Sequence, residues 1–157
     1  MLGTLARLFR VMGFDTAYAP PSDADDDLVM QAATQRRVLI TRDYELGRRA
    51  QAAGVESVLV RNLPIEQQLT IVLTHLGAAP DPTHFFTRCT VCNGALKPVD
   101  AAAVHDLVPE GVRLRHTHFT RCVDCGKVYW PGTHVADMER RLADLVEALG
   151  GAPSAHG

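Results

Sequence analysis

The residues best suited to chemistry in this chain are four cysteines, which fall in two matched pairs. Cys89 and Cys92 lie in RCTVCNG, and Cys122 and Cys125 lie in RCVDCGK. Two residues between the members of each pair let both sulfurs face one point while the chain turns, which is the geometry that tetrahedral Zn²⁺ requires. Because four thiolates fill the coordination shell and leave no position for water, the spacing predicts a structural zinc ribbon rather than a catalytic zinc site.

The context of the cysteines favours metal binding over redox chemistry. A redox CxxC motif is expected once, near the start of a thioredoxin-like unit, whereas here two motifs enclose a short segment. Residues 1–12 lack the charged start, apolar stretch and cleavage site of a secretory signal, which predicts a cytoplasmic location with reduced thiols. The 29 residues between Cys92 and Cys122 exceed the simplest spacing, so the ribbon is expected to carry an insertion.

Acidic side chains form a second group with catalytic potential. Asp43 lies two residues after RVLIT, whose apolar continuity is typical of a strand covered by helices, and Asp25, Asp26 and Asp27 lie at the start of another predicted helix. Carboxylates gathered at the ends of parallel strands can hold Mg²⁺ or Mn²⁺, which activate water for attack on a phosphodiester. Helix capping is the commoner role of acids at such positions, and both interpretations stay open here.

Other catalytic motifs are missing from the sequence. The chain contains no G-x-S-x-G elbow, no phosphate-binding glycine loop and no cysteine outside the two pairs. Acyl transfer and nucleotide binding are therefore disfavoured.

Hydrophobic periodicity supplies the elements that must position these groups. It predicts helices at 2–12, 26–35, 44–53, 64–75 and 135–149, and strands at 14–19, 37–41 and 55–61. Alternation of strands and helices with short connections indicates a three-layer α/β fold with a parallel sheet, whose polar groups gather beyond the carboxyl ends of the strands. Further short strands are expected around CTVCNGALKPV and RLRHTHFTRC.

The turn-rich segment GAAPDPT at 77–83 separates two sequence patterns. A chain of 157 residues, 46% hydrophobic and 22% charged, has room for one good core and a small appendage. We predict an α/β domain over 1–77, a zinc ribbon with a terminal helix over 87–150, and a disordered tail over 151–157. No run approaches the ~20 apolar residues of a membrane span, so no membrane association is expected.

Contacts with nucleic acid must come from local surfaces, because the formal net charge of −2 gives no global attraction. Arginines crowd the first half of the chain, among them Arg7, Arg10 and Arg42, and form either an RNA-facing patch or solvated helix faces. In the ribbon, Trp130 and His134 adjoin a proline–glycine turn, where they could stack on bases or touch phosphate. A small ribbon core is the alternative for Trp130, since a single tryptophan is more often buried.

Four blocks resemble, in order and spacing, the PIN-like ribonuclease family named after the C-terminal domain of the Mut-seven exonuclease: MLGTLARLFRVMGFDTAYA, DDDLVMQAATQRRVLITRD, RCTVCNGAL and FTRCVDCGKVYWPGTH. The resemblance covers residues 1–138 and implies a PIN-like domain fused to a zinc ribbon, with metal-dependent endonucleolytic cleavage of RNA. Residue by residue, it implies that Asp25 and Asp43 are the acidic positions, and that Arg7 and Arg10 are the basic residues of the first block. Family members carry a short strand with an aspartate ahead of the MLG block, so the domain is expected to be N-terminally incomplete.

The predicted function is that of a metal-dependent endoribonuclease with a structural Zn²⁺, a catalytic Mg²⁺ or Mn²⁺, and a ribbon that assists RNA binding. The predicted catalytic residues are Asp43 and Asp25, and the predicted RNA contacts are Arg7, Arg10, Arg42, Trp130 and His134. The alternative is a non-catalytic module that binds RNA, a ribosome or a protein partner and has lost part of the nuclease site.

Overall fold

The computed structural model describes residues 2–149, apart from the side chains of Thr133 and His134. Within these residues the chain forms two compact units, one from 2–5 and 17–79 and the other from 6–16 and 80–149. The sequence assigned residues 6–16 to the α/β domain, whereas their contacts place them in the ribbon unit. The predicted tail at 151–157 lies outside the described residues.

The first unit alternates helices and strands, as the sequence predicts. The helix α1 (Leu2–Val11) begins in this unit and is followed along the chain by α2 (Asp25–Gln35), β1 (Leu39–Thr41), α3 (Tyr44–Ala52), β2 (Ser57–Leu59) and α4 (Ile65–Leu76). Strands β1 and β2 are parallel, with Leu39 opposite Ser57 and Thr41 opposite Leu59. This parallel pairing confirms the α/β class, and the described part of the unit contains these two strands.

The first unit has its own apolar core, built by the inward faces of α2 and α3. Its buried members are Val29, Ala32, Leu46, Ala50 and Val55. Each fully buried aliphatic side chain of this kind contributes about 1.5–3 kcal/mol relative to exposure. The core fixes α3 against the sheet and so determines where the residue that precedes α3 is held.

The second unit contains the predicted ribbon and its insertion. Strand β3 (Leu96–Val99) pairs antiparallel with β4 (Phe119–Cys122), which pairs antiparallel with β5 (Val128–Tyr129). The insertion forms a 3₁₀ helix (Ala101–Leu107) and α5 (Glu110–Arg115), and the unit ends in α6 (Thr133–Ala148). Val104, Val108 and Phe119 form its buried apolar cluster. The zinc-ribbon architecture and the terminal helix are therefore confirmed.

The strand predicted at 14–19 is wrong. Residues 14–20 are irregular, because the N–H of Thr16 donates to Asn93 Oδ1 at 3.0 Å and its carbonyl accepts from Arg10 Nε at 2.8 Å. A strand needs those backbone groups for a neighbouring strand, and here side chains occupy both. The strand expected around RLRHTHFTRC is present as β4, which begins at Phe119, while the first three residues of that segment end helix α5.

None of the helices in the described part of the chain is long and apolar enough to cross a bilayer.

Candidate metal centre and nuclease site

The two CxxC segments form matching knuckles. In the first, the N–H of Cys89 donates to the Gly94 carbonyl at 2.8 Å, and the N–H of Asn93 donates to the Cys89 carbonyl at 2.9 Å. The second repeats these bonds, at 2.9 and 3.1 Å, through Cys122, Lys127 and Gly126. Each turn places its fifth residue in the left-handed region, Asn93 at φ 69° and Gly126 at φ 78°. Asparagine and glycine are the residues that tolerate this conformation best, which is why the sequence turns there.

Close packing at the centre requires a glycine at position 94. A Cβ added there would lie 2.8 Å from the sulfur of Cys122 and 2.5 Å from Oδ2 of Asp124. The backbone of the first knuckle therefore approaches a sulfur of the second without any intervening side chain.

The four sulfur atoms lie within 4.8 Å of one another. Cys92 Sγ is 3.3 Å from Cys122 Sγ, and Cys89 Sγ is 3.6 Å from Cys125 Sγ. Bonds of 2.3 Å to a tetrahedral Zn²⁺ would separate the sulfurs by about 3.8 Å. The donor set and its spacing therefore fit a zinc ion held by Cys89, Cys92, Cys122 and Cys125.

The pKa values of the thiols also favour a bound cation. Burial raises the pKa of Cys89, but hydrogen bonds from the Tyr129 hydroxyl and from backbone N–H groups outweigh burial and bring this pKa down to about 6. The N–H of Gly94 lowers the pKa of Cys92, yet burial and the other three sulfurs raise it to about 12. Four thiolates so close together repel one another, and a divalent ion removes that repulsion.

Arg10 supports the first knuckle from α1. Only 7% of the residue is exposed, and its guanidinium donates to the carbonyls of Thr16 at 2.8 Å, Thr90 at 2.9 Å and Val91 at 3.2 Å. The sequence predicted an RNA contact for this residue. Its donors are instead directed at the backbone of the metal-binding turn, which gives it a positioning role in the ribbon unit.

Asn93 makes a second link between the first knuckle and the segment after α1. Its side chain accepts from the N–H of Thr16 at 3.0 Å and donates to Asp15 Oδ1 at 2.6 Å. Arg88 adds bonds to the carbonyls of Gly13 at 3.2 Å and of Asn93 at 3.1 Å. Residues 6–16 are therefore an integral part of the metal-binding unit.

Variants of two arginines of α1 test whether Arg10 supports the metal-binding turn. We expect Arg10→Gln to lower the free energy of unfolding by about 2–4 kcal/mol, because it leaves carbonyls that accepted from a buried charge without a full partner. Arg7→Gln is the matched control, since Arg7 is exposed on the same helix. Chemical denaturation with a measurement of bound zinc checks the pair. Equal stability of the two variants would contradict the positioning role of Arg10.

Asp43 is held in place where β1 leads into α3. Its Oδ1 accepts from the N–H groups of Glu45 at 2.8 Å and Leu46 at 3.1 Å, and its own N–H donates to Thr41 Oγ1 at 3.0 Å. The capping interpretation is thus confirmed for Asp43. Capping uses one carboxylate oxygen, and Oδ2 has no hydrogen-bond partner among the described residues. The exposed carboxylate is therefore both anchored and open to a ligand.

Asp25 lies in the first turn of α2 and does not cap it, because the N-cap residue is Ala24. Arg49 Nη1 of α3 lies 3.6 Å from Asp25 Oδ2 and 3.7 Å from Asp26 Oδ1. No described hydrogen bond or ion pair links Asp25 and Asp43 through a shared partner within residues 2–149. In the same range, the four cysteines are the one cluster of three or more Cys, His, Asp or Glu side chains spaced to hold a metal.

Comparison with known proteins assigns this arrangement to a family. Residues 1–142 match the family model described as the Mut7-C RNAse domain. The chain belongs to the Mut7-C RNAse domain family. No match was found among curated proteins or among solved structures. Membership gives the chain a ribonuclease-type function in general terms, with RNA as the class of substrate.

In this Mut7-C RNAse domain, one basic residue at the sheet edge escaped the sequence prediction. The parallel register ends with Thr41 opposite Leu59 and is followed by a 2.9 Å bond from the N–H of Val60 to the Thr41 carbonyl, so Asp43 and Arg61 each come two residues after paired strand ends. Arg61 and Arg42 are both exposed. The signal was available: Arg61 follows β2 by two residues, as Asp43 follows β1.

The predicted aromatic contact of the Mut7-C ribbon has a structural role. Trp130 is half-buried and packs against the cluster that contains Val104, Val108 and Phe119. The alternative that Trp130 belongs to a small ribbon core therefore holds for the buried part of its side chain. The side chain of His134 is outside the described set, and its predicted contact with RNA stays a prediction.

Proposed function

We propose that this chain is a metal-dependent endoribonuclease in which Asp43 and Asp25 hold Mg²⁺ or Mn²⁺, and in which Zn²⁺ on the four cysteines is structural. The observation that carries the proposal is the carboxylate of Asp43, which is anchored at the end of a parallel strand in a Mut7-C RNAse domain and keeps one oxygen available. Mg²⁺ is commonly held by one or two carboxylates and completes its octahedron with waters and substrate oxygens. Two aspartates are therefore a sufficient protein contribution.

The ion pair of Asp25 does not prevent this use. Arg49 and Asp25 are half-exposed, with side-chain exposures of 53% and 45%, and lie 3.6 Å apart. Exposed pairs of this kind contribute about 0–1 kcal/mol. A divalent ion that also binds Asp43 can displace so weak a partner, and Arg49 would then be released toward Asp26 or toward phosphate.

The chain supplies binding and orientation, while the bound ion would supply an activated water and charge stabilisation at the scissile phosphate. The Asp43 carboxylate keeps a fixed direction because two backbone N–H groups hold Oδ1. Arg42 and Arg61 lie at the same sheet edge and would hold phosphodiesters on either side of the cleavage point. Arg7, an exposed residue of the ribbon unit, would supply a separate basic contact, and the ribbon would add affinity for RNA.

A non-catalytic binding module is the second candidate. It is favoured because, within residues 2–149, neither Asp25 nor Asp43 belongs to a cluster of three or more Cys, His, Asp or Glu side chains spaced to hold a metal. Such a module would bind RNA, a ribosome or a protein partner without turnover. RNA binding that persists without Mg²⁺ or Mn²⁺, together with intact RNA after long incubation, would favour it.

Variants of Asp25 and Asp26, which both lie close to Arg49, test the metal-dependent proposal. We expect cleavage of single-stranded and structured RNA to require Mn²⁺ or Mg²⁺, and Asp25→Asn to slow it by more than the about 10–100-fold typical of residues that only orient metal ligands. Asp26→Asn is the matched control, since Asp26 contacts the same guanidinium at nearly the same distance. Initial cleavage rates across a metal titration are the measurement.

The titration also distinguishes the two candidate functions. A weaker apparent affinity for Mn²⁺ in Asp25→Asn, with Asp26→Asn unchanged, supports a ligand role for Asp25. Equal losses of apparent Mn²⁺ affinity in both variants would mean that the change comes from the ion pair with Arg49 and not from metal binding by Asp25. A chain that binds RNA but never cleaves it, whatever the metal, would be a binding module.

A further inference from the structure

We propose that an open pocket on the ribbon unit, beside the second knuckle, binds a phosphodiester of the RNA backbone. This inference rests on the proposed function and locates the RNA contact of the ribbon. The pocket has a volume of about 480 Å³ and lies between β3, β4 and the second knuckle. Its charged lining consists of Lys97, Arg121 and Asp124.

Lys97 and Arg121 lie directly opposite each other in the antiparallel β3–β4 pair. Side chains at opposite positions project from the same face, with Cβ atoms about 4.5–5.5 Å apart. Like charges in this arrangement destabilise a sheet. An anion that contacts both side chains would convert this repulsion into attraction, which gives the exposed pair a physical reason to be there.

Both cations are available to a ligand. Arg121 Nε donates to the Gly126 carbonyl at 3.0 Å, which orients the guanidinium and leaves its Nη donors for another acceptor. Lys97 is exposed, and its ammonium group has no hydrogen-bond or ion-pair partner in the described part of the chain. One donor is thus pre-oriented and the other adaptable, a combination suited to a phosphate whose position varies along an RNA chain.

Negative charges near the pocket offer a competing explanation for the presence of Lys97 and Arg121. A Zn²⁺ ion with four thiolates carries a formal charge of −2, so the two cations could serve only to balance the metal centre. The carboxylate of Asp124 also lines the pocket, although Oδ2 is directed against Gly94, where an added Cβ would lie 2.5 Å away. A cation that only balances the centre would change zinc retention, whereas a phosphate contact would change RNA affinity.

RNA binding by the zinc-loaded full chain, without Mg²⁺ or Mn²⁺, tests the pocket. Fluorescence anisotropy of a labelled single-stranded oligouridylate would be followed over a range of salt concentrations. We expect Lys97→Gln to weaken binding several-fold and to reduce the slope of log affinity against log salt by about 0.7, the value for one phosphate contact on a single strand. Arg115→Gln is the control for the loss of one exposed cation of the ribbon unit outside the pocket; like that of Arg121, the Nε of Arg115 donates to a carbonyl, that of Gly111, at 2.8 Å.

Three outcomes of the binding experiment would overturn the pocket assignment. Unchanged affinity in Lys97→Gln would remove the contact, and equal losses in Lys97→Gln and Arg115→Gln would indicate unspecific attraction. Loss of zinc from Lys97→Gln would assign the cations to the metal centre. Cleavage with Mn²⁺ is scored separately: a wild-type chain that cleaves RNA while Lys97→Gln binds normally refutes the pocket alone, and one that binds through Lys97 without cleaving refutes the nuclease alone.

Discussion

Replacing Asp43 with asparagine should abolish metal-dependent RNA cleavage while leaving the chain as stable as the wild type. The carboxylate accepts from the N–H groups of Glu45 and Leu46, and asparagine caps helices about as well as aspartate. The change therefore removes the negative charge that a divalent ion needs and keeps the cap. We expect the rate to fall by more than the about 10–100-fold seen for residues one shell away from a metal. Cleavage rates and thermal unfolding of the same preparation are the measurement.

Asp43→Ala completes the comparison. Loss of the cap should reduce the free energy of unfolding by about 1 kcal/mol. Its cleavage rate should match that of Asp43→Asn, because both variants lack the charge. If Asp43→Asn cleaves RNA normally and only Asp43→Ala loses activity, Asp43 is a structural cap and the metal site lies elsewhere.

The metal-binding half of the molecule was largely predictable from sequence. Cysteine spacing is a local property, and the turn residues Asn93 and Gly126 follow directly from the positive φ angles that each knuckle requires. The helices were predictable for a similar reason, since the apolar face of each recurs with the period of the helix itself. The ends of the five predicted helices differ by one or two residues, whereas the short helix α5 of the insertion was not predicted.

Contacts between residues distant in sequence were not predictable. Arg10 was assigned to RNA because an arginine on a helix is usually exposed, yet it bonds to Thr90 and Val91 about 80 positions away. A long-range bond to Asn93 and a local bond from Arg10 occupy the backbone of Thr16 and prevent the predicted strand at 14–19. No local pattern in residues 2–20 reveals a partner that enters the sequence only after residue 87.

The nuclease site shows the same division. Asp43 could be placed because it comes two residues after its predicted strand, whereas Arg61 lies at the same sheet edge only because β2 pairs in parallel with β1. Register is a property of the pair and is not contained in either strand alone. The relation of Asp25 to Arg49 likewise depends on how α2 packs against α3.

Removal of zinc should unfold the ribbon unit and leave the first unit folded. Cys122→Ser, or treatment of the wild type with a strong chelator, should abolish hydrogen-exchange protection in β3, β4 and residues 6–16, while α2, α3 and α4 keep theirs. Val123→Ala is the control within the same knuckle, because Val123 is 59% exposed and is not a ligand. Metal content by elemental analysis should be about one zinc per chain in the wild type and Val123→Ala, and none in Cys122→Ser.

The expected size of this effect follows from the small buried cluster that β4 shares with the insertion. Its three members contribute about 1.5–3 kcal/mol each, which cannot by itself offset the cost of ordering the backbone of this part of the ribbon, about 1–2 kcal/mol per residue. A structural zinc site contributes about 10–16 kcal/mol in small domains, which is comparable to a typical folding free energy of about 5–15 kcal/mol for a whole protein. The first unit keeps its structure because its core contains no metal ligand. Protection of β3 and β4 that survives complete removal of zinc would show that the insertion and α6 stabilise the ribbon by themselves.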